Sequence, residues 1–291
     1  MYQVFIYSIL AAAKIMLVAI GFAIVFRATR FFHFAHGIVF TAGAYFTFLF
    51  KAWLGFPLFF SILLAIPLTT LLGCLMEVIV YLPLRRKGSS SLVFLLASLG
   101  MYIVLQNVIS MMFGDDTKTI RSGLVKEGLN VFGARITPIE ILIICVSVVL
   151  VVTVTLLLKK TKMGNAMRAV ANDIELASVS GIDSDRVILL TFAIASTLAG
   201  IAGILVALDV DMTPTMGMNA LMMGVVAVIV GGVGSIPGVA LAALLLGIAQ
   251  HLGVWFISSQ WQDAIAFVIL LIFLLFRPQG FLGKKVKKAT L

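Results

Sequence analysis

Residues that could do chemistry are few in this chain. His33 and His36 stand three apart in Phe31-Phe32-His33-Phe34-Ala35-His36-Gly37, which puts both rings on one side of a helical turn. That spacing suits two metal ligands, but no carboxylate or cysteine lies nearby in sequence, so capping or interhelical hydrogen bonding is the better expectation. Lys14 and Glu77 are ionisable groups inside otherwise apolar stretches, where a charge has to pair, snorkel or face water. For Lys14, a place on a pathway and a packing role reaching a carbonyl or the outer interface both stay open. Glu77 is expected in a structural ion pair, with a base of Arg85-Arg86-Lys87 or with another helix, rather than in a proton relay. Ser235 lies in Gly234-Ser235-Ile236-Pro237-Gly238, which lacks the Gly-x-Ser-x-Gly spacing of a nucleophile elbow. A Gly-x-x-x-x-Gly-Lys-Ser/Thr phosphate loop is absent, so the chain should not hydrolyse ATP itself. Cys74 and Cys145 both fall in apolar sequence and read as packing residues, not as a disulfide pair.

The elements that hold these residues are membrane helices. With 62% hydrophobic and 11% charged residues over 291 positions, the chain has too little polar surface to cover a soluble globule. Charge-free stretches of about 20 residues suit helical spans, and alternating barrel strands are missing. The spans read as Val4 to Phe26, a short run of about 14 residues ending at Phe50, Pro57 to Leu82, Leu92 to Phe113, Pro138 to Leu158 and Val187 to Leu208. A second short run, Met218 to Val230, is bracketed by Pro214 and Gly217 on one side and Gly231-Gly232-Val233-Gly234 on the other; Val239 to Ile257 and Ala264 to Phe276 complete the set. Both short runs predict broken or re-entrant helices, one breaking at His36 and Gly37. The first run is read as a retained helix, since it lacks a basic start and is longer than a signal-peptide core. The expected fold is all-α: one polytopic helical membrane domain over residues 1–291, with about 8–9 hydrophobic segments, short broken helices and a cytoplasmic coupling helix.

The net charge of +9 comes in short juxtamembrane clusters, not in one patch, so it reports topology and not nucleic acid. Arg27/Arg30, Arg85 to Lys87, Lys159 to Arg186 and Arg277 to Lys288 share one side, and Lys51, Lys118, Arg121, Lys126 and Arg135 the other. That bias predicts an N-terminus outside and a C-terminus in the cytoplasm. The polar segment Lys159 to Arg186 carries Ala166, Ala169, Val170, Ala177 and Val179 at roughly helical spacing on a charged background. It reads either as a solvated loop or as a short amphipathic helix, or pair of helices, that docks into a groove on another protein. A polytopic chain with such a segment and no energy chemistry of its own points to an external motor.

Six groups of residues, in order along nearly the whole chain, carry a resemblance. His33-Phe34-Ala35-His36-Gly37 with Gly43-Ala44-Tyr45, Glu77 with Pro83-Leu84-Arg85, and Met163-Gly164 through Met167-Arg168-Ala169-Val170-Ala171 to Gly181-Ile182 come first. Pro214-Thr215-Met216-Gly217, Gly231-Gly232-Val233-Gly234-Ser235-Ile236-Pro237-Gly238 and Arg277-Pro278-Gln279-Gly280 follow. Together these resemble the LivH-type permease subunit of branched-chain amino acid ABC importers, within the LivH/LivM permease family. The resemblance departs at His33, where that family usually has asparagine, at Lys14 in the first helix, and near Met222 and Met223, where relatives often carry a lysine.

The resemblance implies a non-enzymatic permease subunit of the prokaryotic cytoplasmic (inner) membrane. ATP and Mg would be bound by one or two separate ATP-binding cassette subunits, and this chain would carry no cofactor or metal of its own. A second, LivM-like permease, an extracytoplasmic substrate-binding protein and membrane lipid are the other implied partners. The implied coupling residues are Gly164, Met167, Arg168, Ala169, Ala177 and Gly181. Candidates for the translocation path are His33, His36, Gly37, Pro214, Gly217, Gly231, Gly232 and Gly234, with close helix packing as the competing reading for each glycine. The implied substrates are branched-chain or other neutral amino acids, with urea or short amides as the family's alternative and a stand-alone channel or secondary carrier as the rival class.

Overall fold

The computed structural model describes residues 2–121, 128–131 and 134–283; Lys126, Lys284, Lys285, Lys287 and Lys288, used above for sidedness, lie outside them. The chain runs α1 (Tyr2–Thr29), α2 (His36–Phe48), α3 (Leu58–Met76), α4 (Leu82–Arg86), α5 (Ser91–Phe113), a hairpin of β1 (Leu129–Val131) and β2 (Ala134–Ile136), then α6 (Pro138–Lys160). It continues with α7 (Lys162–Asn172), α8 (Ile174–Val179), α9 (Ser184–Asp209), α10 (Met216–Gly231), α11 (Ile236–Phe256) and α12 (Gln262–Phe276). Among the described residues, seven helical stretches are long and apolar enough to cross a membrane, with α3 and α4 counting as one, and α10 is a shorter apolar helix. The expected all-helical polytopic fold is what forms, with α2 and α10 as the two short helices.

Burial separates the centre of the bundle from its lipid-facing rim. In α1, 78% of the most apolar stretch is buried, and in α9 67%, against 6% for the last helix. A helix that is apolar on every face can sit in the middle of such a bundle. α1 packs on α9, α10 and α11, while α2 and α3 pack on the other flank of α9. Without a hydrophobic effect between helices in lipid, close approach through small residues has to hold them together. Gly203 of α9 shows the point, because a Cβ there would land on the carbonyl oxygen of Phe40 in α2.

Helix ends follow local chemistry. Arg30 closes α1 in the left-handed region (φ 59°), donating its N–H to the Phe26 carbonyl at 2.9 Å. Thr137 and Glu140 form a reciprocal capping box at the start of α6, and Asp183 and Ser235 cap α9 and α11. A π-helical turn, Glu77–Tyr81, joins α3 to α4, and another, Leu49–Trp53, extends α2. Glu77 and Tyr81, the first and last residues of the first turn, are both buried in the core.

Charged contacts divide the molecule into two ends. At one end Arg27, Arg30, Arg85, Arg86 and Arg168 bond to the loops and helix ends around them. At the other, Gln3 pairs with the Arg135 backbone, and Arg121 bonds to the Asp209 carbonyl at 3.0 Å and the Asp211 carboxylate at 2.9 Å. Lys118 and Met212 exchange backbone hydrogen bonds beside them. Lys14 pairs with Asp209 at the end of α9, so it sits nearer that end than its place in the apolar run suggests.

Candidate translocation and coupling site

Both short helices start inside the bundle. α2 begins at His36 after a buried turn in which the His36 N–H donates to the His33 carbonyl and the Gly37 N–H to that of Phe34, each at 3.1 Å. α10 begins at Met216 after the matching turn, Met216 N–H to Thr213 carbonyl, at 3.2 Å. Neither helix has a side-chain cap at its N-terminus. The two starts meet: a Cβ on Gly37 would lie 2.7 Å from the Gly217 carbonyl oxygen and 3.2 Å from the Leu221 Cβ, and one on Gly217 would strike Gly37 and Thr41. Two positive helix ends therefore come together, a concentration of partial charge that suits an anionic group. Broken helices with apposed ends are the usual substrate-binding element of helical transporters.

The two histidines do different things. His33 is buried and its Nδ1 lies 3.1 Å from the Tyr81 hydroxyl, inside an aromatic box made with Phe31 and Phe192. His36 lays its ring over Gly21 of α1, where a Cβ would come within 2.8 Å of the imidazole Cε1. Both rings hold the turn before α2 in place, and no cluster of three or more metal-ligating side chains occurs among the described residues. Pro214 is buried in the turn that leads into α10.

Gly231, Gly232 and Gly234 sit elsewhere, at the far end of α10. Gly232 (φ 95°) ends that helix and packs against the turn after α12, where the Phe281 N–H donates to the Val230 carbonyl and that of Leu282 to Gly231. Gly234 accepts a hydrogen bond from Arg27 at 3.0 Å. The structure thus unites His33, His36, Gly37, Pro214 and Gly217 around two helix starts and leaves Gly231, Gly232 and Gly234 as a closure of the opposite end.

The polar segment forms two helices. Thr161 caps α7, whose buried face holds Gly164, Met167, Val170 and Ala171, and Asp173 caps α8. Gly164 lies against the Leu157 and Leu158 backbone, where no Cβ fits. Arg168 donates to the Leu158 carbonyl and, at 2.5 Å, to Asn165, which braces α7 on the end of α6. Ala169 is half-buried and Ala177 buried. Facing solvent from the same pair are Ile174, Leu176 (65% exposed) and Val179 (86% exposed), an apolar edge on an otherwise polar face. Gly181 (φ 82°) turns the chain after α8, with nothing among the described residues within 4 Å of its Cβ position.

A charge network joins this pair to the spans. Glu77, almost fully buried, bonds to Arg85 at 2.5 Å; Arg85 also reaches Asp185 at 3.4 Å, and Arg86 reaches Asp185 at 3.1 Å. Asp185 stands in the first turn of α9, directly after α8. The ion pair expected of Glu77 is therefore present, and it ties α3 and α4 to the root of the α7–α8 segment.

Over residues 4–274 the chain matches the family described as branched-chain amino acid transport system, permease component. It belongs to that family. The permease is 34% identical to the high-affinity branched-chain amino acid transport system permease protein BraD of Pseudomonas aeruginosa, over 92% of this chain and 91% of the relative. It is equally similar, at 34% over the same shares, to the permease protein LivH of Escherichia coli. A probable LivH of Methanocaldococcus jannaschii is 26% identical over 97% of this chain and 92% of its own. No solved structure gives a significant match. As a permease component the chain carries no ATPase site, and the family implies ATPase and substrate-binding-protein components as partners.

Sequence reasoning did not find Leu176 and Ile174 as the exposed apolar edge of the permease's polar segment, nor Arg121 and Asp211 as the clamp on the turn before α10. Leu176 and Ile174 were legible as apolar residues, but which helical face the protein covers is decided by packing. The clamp joins residues 90 positions apart and left no local signal.

Proposed function

We propose that this permease forms half of a pathway for branched-chain or other neutral amino acids across a prokaryotic cytoplasmic membrane, driven by separate ATP-binding cassette subunits. The observation that carries the reading is the α7–α8 pair, which presents Ile174, Leu176 and Val179 on the arginine-rich end of the molecule. Such an edge fits a groove on an ATPase, and the Glu77–Arg85–Asp185 network would pass its displacement to α3 and α9. In this reading Gly164, Met167 and Ala177 fasten the pair to the membrane domain, Arg168 and Ala169 stiffen it, and Gly181 sets its exit angle. The basic end is cytoplasmic by the positive-inside rule, which places the N-terminus outside and the C-terminus inside.

The paired starts of α2 and α10 would face the substrate carboxylate, with His33, His36, Gly37, Pro214 and Gly217 shaping that place. A second, LivM-like permease completes the path, one or two ATPase subunits drive it, and an extracytoplasmic binding protein supplies selectivity. The names of the relatives support the amino acid assignment. Uptake of labelled leucine, isoleucine and valine, compared with urea and acetamide, tests the substrate class. A preference for urea or acetamide would move the chain to the amide importers, and uptake by the chain alone without ATP would make it a channel or carrier. Gly181→Trp tests the coupling: ATP hydrolysis that persists while uptake stops supports it, and normal uptake refutes it.

A further inference from the structure

Behind the α7–α8 pair lies a cavity of about 1120 Å³ whose ionisable lining, among the described residues, is wholly basic. Arg27 and Arg30 enter it from the end of α1, Lys159 from the end of α6 and Arg168 from α7. Among the described residues none that lines it is acidic, and none of these four cations is paired with a carboxylate. Arg30 and Arg168 are close enough to Arg27 to repel it. The arginines are held in place by neutral oxygens, the backbone carbonyls of Gly234 at 3.0 Å, Ala171 at 2.9 Å and Leu158, and the Asn165 side-chain amide oxygen.

Two further features point at a ligand. Thr155 lines the cavity from α6, and its hydroxyl oxygen, shielded from solvent, has no hydrogen-bond partner among the described residues. The first turn of α11, at Ser235, Ile236 and Pro237, also opens into the cavity and adds the positive end of a 21-residue helix. Leu158, Ile236 and Leu282 supply apolar wall beside the charges. A cluster of like charges in a shared hollow, with a spare hydroxyl and an aligned helix start, is stabilised by an anion with several acceptor oxygens.

We propose that this cavity binds a phosphate group, a role separate from the transport path and from the ATPase-facing edge of α8. The phosphate can come from the headgroup of an anionic phospholipid, since Arg27 and Lys159 stand at the ends of membrane spans, or from a soluble phosphate compound. Guanidinium forks and a hydroxyl suit either. Occupancy would brace the end of α1 against α7 by neutralising the repulsion among Arg27, Arg30 and Arg168.

The test uses the assembled transporter. Wild-type complex and complexes carrying Lys159→Gln with Arg30→Gln, or Thr155→Val alone, are extracted from vesicles of equal phosphatidylglycerol and phosphatidylcholine and weighed by native mass spectrometry. In parallel, each complex in detergent is titrated with inorganic pyrophosphate and its unfolding temperature followed. Phosphatidylglycerol retained by the wild type, and reduced about tenfold in the double variant and several-fold in Thr155→Val, supports the site with a lipid source. A pyrophosphate-dependent rise in unfolding temperature that the variants lose, without lipid retention, supports it with a soluble source. Lipid retention equal in wild type and variants, together with no pyrophosphate effect on the wild type, overturns the proposal. Thr155→Val removes one hydroxyl and keeps the shape, so an assembly defect in the double variant leaves the test intact.

Discussion

Replacing Gly217 with alanine puts the junction of the two short helices under a defined load. The new methyl group falls inside contact distance of the Gly37 carbonyl and the Thr41 hydroxyl, so α2 and α10 have to part by about 1 Å, and overpacking of this kind costs about 2–3 kcal/mol. Gly37→Ala is the milder case, because its Cβ meets the Gly217 oxygen at 2.7 Å and the Leu221 Cβ at 3.2 Å, and the expected cost is about 1–2 kcal/mol. Gly100 in α5 is the control: among the described residues nothing lies within 4 Å of its Cβ position, and alanine there gains about 0.5–1 kcal/mol of helix propensity. The assay is thermal unfolding of the purified complex, with uptake of labelled leucine measured at equal expression. Stability should rank Gly100→Ala above wild type, then Gly37→Ala, then Gly217→Ala, with uptake lost in the same order for the two junction variants. Wild-type stability and uptake in Gly217→Ala would show that the helix starts do not meet as described.

Three other outcomes follow from the same geometry. Glu77→Gln leaves Arg85 with only the longer contact to Asp185; the loss is expected at about 2–3 kcal/mol, and a double-mutant cycle with Arg85→Gln should return a coupling energy above about 1 kcal/mol. Additive losses would deny the pair. Val179→Asp or Leu176→Asp should leave the unfolding temperature of the isolated permease unchanged, since both side chains are exposed, yet abolish copurification of the ATPase; retained copurification would remove α8 from the docking surface. Thr137→Ala breaks the capping box of α6 and should cost about 1 kcal/mol, read as a lower unfolding temperature, whereas no change would mean that water replaces the cap.

Much of the architecture was legible because the bilayer imposes lengths on helices. Seven of the nine apolar runs became helical stretches long and apolar enough to cross a membrane among the described residues, and the two short runs, flagged by glycine and proline at their edges, became α2 and α10. The spacing from Lys159 to Arg186 left a solvated loop, one amphipathic helix and a pair of helices open, and the pair, α7 and α8, is what forms. Glu77 announced an ion pair, because a carboxylate in apolar surroundings has few alternatives.

What the chain alone did not determine is where distant residues meet. Glycine spacing named Gly37, Gly217, Gly231, Gly232 and Gly234 alike, and only packing separated the two at the helix junction from the three at the far end of α10. Lys14 looked like a charge in the middle of a span until Asp209, 195 positions away, proved to be its partner. The π-helical turn that begins at Glu77 and ends at Tyr81 has no periodic signature, since one inserted residue leaves the apolar pattern on both sides intact. The basic cavity was likewise hidden, as its four cations lie in two clusters more than a hundred positions apart along the chain. Local sequence sets the length and polarity of each helix, but which faces touch depends on the shape of every neighbour, and that is fixed only when the bundle closes.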